Sequence, residues 1–122
     1  MNIITTLLTL SNQIKIYHWQ TDSYAAHKAL DKAYEKLVDL TDDFIEVFQG
    51  KNARIKGKDG FTIKLNNISD ISGINEFIDI NIIYLTTELE NGLGEGYNDE
   101  LLNIRDEMVA TLQQLKYLLT LK

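Results

Sequence analysis

Two histidines and a row of carboxylates are the residues of this chain whose types and spacing could do chemistry. His27 and Asp31 are four residues apart, and so are Asp42 and Glu46. Side chains four apart on a helix share one face, about one turn apart, near enough for both to hold one cation. From Asp31 to Asp42 is a step of eleven residues, close to three full turns at about 3.6 residues each. All four therefore fall along one line, with Glu35 beside it. Carboxylates with neutral imidazole form a ligand set suited to iron, manganese or zinc. His18 stands next to Trp19 at the core edge of the preceding helix, where an isolated histidine is more often packed and hydrogen-bonded than ligating.

The direction in which that line faces limits what it can do. At about 100° per residue, Asp31, Asp42 and Glu46 lie roughly 120–180° from the apolar stripe through Leu37. They cannot point into the centre of their own bundle, and the chain contains no Glu-x-x-His of the kind that lines a di-iron bundle core. Two readings follow. The line is a solvated acidic face, interspersed with Lys28, Lys32 and Lys36, or it meets ligands from a second chain across an interface.

The elements that must position these residues are helical. Ile3, Leu7, Leu10, Ile14 and Tyr17 alternate by three and four, which predicts an amphipathic helix over 3–19. "TDS" at 21–23 offers capping side chains, so a second helix starts near Ser23 or Tyr24 and is expected to stop at Gly50. Its core stripe is Leu30, Ala33, Leu37, Thr41, Phe44 and Phe48. "ARIKGKDGFTIKL" alternates polar and apolar residues around glycines, which predicts a short β-hairpin within 51–65. Helical spacing returns through Ile74, Phe77, Ile78, Ile82 and Leu85, although the isoleucine-rich middle also reads as strand. "ENGLGEGYND" is a glycine-rich loop with Asn98 or Asp99 as cap. The last helix, about 99–120, is expected to bury Leu102, Met108 or Val109, Leu112, Leu115 and Leu119. The fold class is all-α: one domain over 1–122, a four-helix bundle with a hairpin-like connection between helices 2 and 3.

Composition narrows the classes further. The 122 residues carry a formal charge of −6, and 44% are hydrophobic, as in a globular chain of one modest core. No apolar run approaches the roughly 20 residues needed to cross a bilayer. The apolar start lacks the basic residues and cleavage site of a signal peptide. There is no cysteine, so disulfides and thiolate metal sites are excluded. Acidic charge argues against nucleic acid as partner. One local exception, residues 51–64, holds five basic residues and one acid, so Arg54, Lys56 and Lys58 form a candidate anion-binding loop.

His18-Trp19, then His27-x-x-x-Asp31, then Asp42-x-x-x-Glu46 closed by a glycine, resembles the Dps-type mini-ferritins of the ferritin-like superfamily. The likeness covers residues 1–50, and the last helix faintly resembles small ferritin-like proteins of phages and large DNA viruses. The resemblance implies a ferritin-like domain whose ferroxidase site lies between two subunits. His18, His27 and Asp31 would come from one chain, and Asp42 and Glu46 from its twofold partner. It also implies iron (Fe2+/Fe3+) as the metal, with Mn or Zn able to substitute. Iron would be oxidised by peroxide or dioxygen, and stored. A homo-oligomer through the second helix, dimer or dodecameric shell, and a cytoplasmic location, in a bacterium or in the host of a phage or virus, complete the implied picture. The competing expectation is a metal-free structural or interaction protein that uses the same helix only to assemble.

Overall fold

A computed structural model describes residues 2–68 and 70–122. Asn2 starts the first helix by accepting hydrogen bonds from the backbone of Ile4, at 2.7 Å, and Thr5. That helix, α1, covers Ile3–Gln20. After three residues Ser23 caps α2, Tyr24–Lys51, by accepting from Ala26 N–H at 3.2 Å. Leu7, Leu10, Ile14 and Tyr17 of α1 share one core with Leu30, Leu37 and Phe44 of α2. Of the residues expected on these stripes, Ile3 and Phe48 are only half-buried.

The third rod begins at α3, Ile71–Ile83, where Asp70 caps by accepting from Gly73 N–H at 2.8 Å. It widens into a π-helical turn, Tyr84–Glu88, and ends in one last α-turn, Leu89–Asn91. The widening has a local cause. Thr86 and Thr87 donate their hydroxyls back to the carbonyls of Ile82 and Ile83, competing with the backbone ladder, and Leu89 N–H reaches five residues back to Tyr84 O. The carbonyl of Leu85 accepts instead from Arg105 Nη1, at 3.0 Å, on the final helix. That helix, α4, covers Asp99–Leu118 and buries Leu101, Met108, Leu112 and Leu115; Leu102 is only half-buried. α1 packs on α2, α2 on α4, and α4 on the third rod. The alternative strand reading of the isoleucine-rich stretch is not realised.

The expected hairpin is absent: no strand forms among the described residues, and 51–65 holds only a tight turn with Gly60 N–H donating to Gly57 O at 3.2 Å. Glycine is required there, because a Cβ at Gly57 would lie 1.9 Å from Gly60 O, and Gly60 has φ +84°. A hairpin satisfies its backbone across the ladder, whereas this segment uses glutamines of the helices. Gln49 Oε1 accepts from Ile55 N–H at 3.0 Å. The buried Gln13 donates to Asn66 O and accepts from Asn66 N–H, both at 2.7 Å, and Gln20 accepts from Ile68 N–H. The alternating apolar residues are thus those of an extended strap laid over the bundle, with Ile55, Ile63 and Ile68 half-buried.

Two end signals also resolve differently. α2 runs past Gly50 to Lys51, whose ammonium is held by Tyr97 O, Asn98 Oδ1 and Glu100. A lysine in the last turn favours the helix C-terminus, so no left-handed glycine is needed at position 50. Asn98 holds the N-cap place of α4 without bonding the helix, since its amide donates to Gly94 O at 3.0 Å.

Two stability tests follow from these contacts. Gln13→Ala is expected to cost about 2 kcal/mol in denaturant melts, because both strap groups at Asn66 lose their partner. The Lys51 contact holds the Glu100 carboxyl below its ordinary range. A depressed folded pKa adds stability that is full above the unfolded value and is lost as pH falls through the folded one. The melting difference between wild type and Glu100→Gln is therefore expected at neutral pH and absent well below pH 4.5.

Candidate metal centre

The three-residue turn between α1 and α2 brings the two histidines face to face. Their rings stack with centroids 3.8 Å apart and 18° between planes. His18 Nδ1 donates to His27 O at 2.6 Å, and His27 Nδ1 donates to His18 O at 2.7 Å. A carbonyl has no proton to give, so each Nδ1 must carry one. In the neutral ring this leaves Nε2 with a bare lone pair, the state in which a histidine ligates a metal while its other nitrogen is held by a backbone carbonyl. His18 is packed, at 7% exposure, and hydrogen-bonded, yet its Nε2 stays uncommitted.

Asp31 lies one turn beyond His27, with Oδ1 3.9 Å from His18 Nε2 and 3.0 Å from Lys15 Nζ. The Lys15 hydrogen bond, with the positive fields of Lys15 and of the histidines when protonated, holds the Asp31 carboxyl below its usual range. It is an anion at neutral pH. The two histidines, Asp31 and Glu35 line, together with Lys28 and Lys32, an open hollow of about 370 Å³. Two ligands each about 2.1 Å from one ion stand roughly 3.0–3.4 Å apart. His18 and Asp31 need to close by only about half an ångström to meet that separation, once the ammonium moves away.

Asp42 and Glu46 stand elsewhere. Both are exposed on the outer face of α2, as the angular reading required. Fifteen residues separate Asp31 from Glu46, roughly 22 Å along the helix, so no single ion bridges them within one chain. Glu46 has its pKa raised, first by sharing a hydrogen bond with Asp42 and then by the charges of Asp42 and Asp43. Among the described residues the pair is a concentration of negative charge that takes part in no ion pair. Among the described residues no three His, Asp or Glu side chains converge into a closed metal cage. One chain thus sets the stacked histidines near Asp31 and a separate carboxylate pair, Asp42 and Glu46, farther along α2.

Lys15 is the site residue that the spacing of histidines and carboxylates did not reveal. It sits three residues before His18 on a half-buried face, with its ammonium 5.6 Å from the Trp19 ring centre and 4.9 Å from that of Tyr34. Trp19 itself is 65% exposed, so it closes no core at the helix end and instead borders the lysine.

The chain belongs to DUF5856, a family of unknown function, whose family model matches residues 18–119. No curated protein and no solved structure matches it.

Lys15 neutralises the carboxylate that a cation at the histidines would use. Lys15→Met is expected to bind Co2+ roughly two- to fivefold more tightly than wild type, the scale of one exposed ion pair. The check is a Co2+ titration followed by visible absorbance, with His27→Ala removing the signal.

Proposed function

We propose that the protein is a ferritin-like iron-oxidising protein, with Fe2+ as its substrate, working as a homo-oligomer joined through α2. The observation that carries this reading is the reciprocal histidine–carbonyl pairing beside Asp31. It fixes two imidazoles in the ligating tautomer, a preorganisation that solvated histidines do not need. His18, His27 and Asp31 are the half-site of one subunit, and Asp42 and Glu46 of the twofold partner complete it. An antiparallel pair of α2 helices whose axis passes beside Val38 brings Asp31 of one copy level with Glu46 of the other. Val38 is an exposed apolar side chain on that outer face, in keeping with such a contact. Bringing the two halves together also relieves the mutual repulsion of Asp42 and Glu46, because a cation then lies between them.

The protein's contribution is binding and charge. Carboxylates favour the ferric over the ferrous ion, and the histidines' lone pairs complete the shell. Two Fe2+ ions each give up one electron, and a peroxide accepts the two together with two protons and leaves as two waters. Zn2+ and Mn2+ compete for the same donors.

The second reading, a metal-free bundle that assembles through α2, is favoured by one specific contact, the Lys15–Asp31 ion pair, which satisfies Asp31 without a metal. The two readings separate in one experiment. Fe2+ is added anaerobically, peroxide or air is admitted, and ferric absorbance is followed. Asp31→Ala and Glu46→Ala are each expected to lose rapid oxidation. Unfolding and refolding the two variants together is expected to restore about a quarter of the wild-type rate, since half of randomly formed dimers then hold one intact site of two. No recovery on mixing sinks the intersubunit site, and equal slow traces for all proteins leave the metal-free bundle.

A further inference from the structure

At the far end of the bundle from the histidines lies a second hollow, of about 350 Å³, which the metal reading does not use. Ile3 of the first turn of α1, Phe48 of the last turns of α2, and Ile55 and Phe61 of the strap supply its apolar wall. Gly92, at the end of the third rod, forms its back. A Cβ there would come within 2.8 Å of Ile3 Cδ1, so glycine lets that side chain stand where it does. The strap roofs the hollow without a backbone ladder to seal it, and Phe61 remains 42% exposed at the opening.

Its lining includes a single ionisable side chain, Lys56. Among the described residues Lys56 takes part in no ion pair, and it is flanked along the strap by Arg54 and Lys58, which also take part in none. In a chain of net charge −6 this lip is a local positive spot beside an apolar space. An apolar wall with one cation at the mouth complements an amphiphile with an apolar body and one negative head. The volume stands near the lower end of the roughly 300–1,000 Å³ usual for ligand pockets, which suits a short chain rather than a whole lipid.

We infer that this hollow binds a medium-chain monocarboxylate, with its alkyl chain among Ile3, Phe48, Ile55 and Phe61 and its carboxylate on Lys56. Binding is independent of metal and of the histidine site.

The test is a titration of the isotope-labelled full chain with octanoate, and separately with octanol, read by NMR. Octanoate is expected to shift the Ile3 and Ile55 methyls saturably and to leave the His18 and His27 signals in place. Octanol, matched in chain but uncharged, is expected to bind more weakly. Lys56→Gln is expected to weaken octanoate two- to fivefold, as for one exposed charge pair, and Phe61→Ser by at least about fivefold. Both substitutions lie on exposed residues, and unchanged far-ultraviolet circular dichroism certifies the fold. Octanol binding as tightly as octanoate overturns the assignment, and so do shifts that spread over the surface without saturating. Methyl shifts that follow protein concentration without ligand also overturn it, because they make a second copy the occupant.

Discussion

The contact on which the rest hangs is the exchange between two histidines and two backbone carbonyls at the α1–α2 turn. Each imidazole holds the other's peptide, so the end of one helix and the start of the next are tied at two points rather than one. With that turn set, the apolar stripes of α1 and α2 meet in register, and Lys15 arrives beside Asp31 as a consequence. The same bonds that fasten the turn decide which nitrogen of each ring has a free lone pair. The two ring nitrogens thus divide: Nδ1 fastens the turn, and Nε2 keeps the lone pair.

Much of the helical frame was legible because helices report their buried face in the order of residues. The leucines and isoleucines of α1 and the Leu30–Phe44 stripe of α2 recur at turn spacing, and the capping serine stands where the chain needs an acceptor. The line of Asp31, Asp42 and Glu46 was legible for the same reason, and its outward direction follows from Leu37 alone. What the order of residues did not reveal were contacts between elements. Lys15 looks like any surface lysine until α2 places a carboxylate against it. The histidine exchange depends on how tightly a three-residue turn closes, and residue types do not report that.

The strap shows how an alternating pattern misleads. Alternation states that one side of an extended segment is apolar, and it is silent on what satisfies the backbone. In a hairpin the neighbour strand does so; here glutamine side chains on α1 and α2 act as the neighbour, each offering a donor and an acceptor on one planar group as a peptide does. Glutamines 13, 20 and 49 were therefore informative residues, but only for a reader who already knew that the segment lay against helices.

The widened turn at Tyr84–Glu88 has a mechanical meaning. A π-turn holds one residue more than the α-turn it replaces, so the rod beyond it is rotated relative to an uninterrupted helix while its path continues. Leu85 within the irregularity and Leu89 just past it both stay in the core, and the peptide oxygen set loose by the wider turn is taken up by a guanidinium from the neighbouring helix. The third rod can accommodate an extra residue as a local bulge instead of spreading the mismatch along its length. Both of its halves reach α4, the first through the Asp79–Lys116 ion pair and the second through Arg105, while Phe77 of the first half also meets Tyr17 of α1.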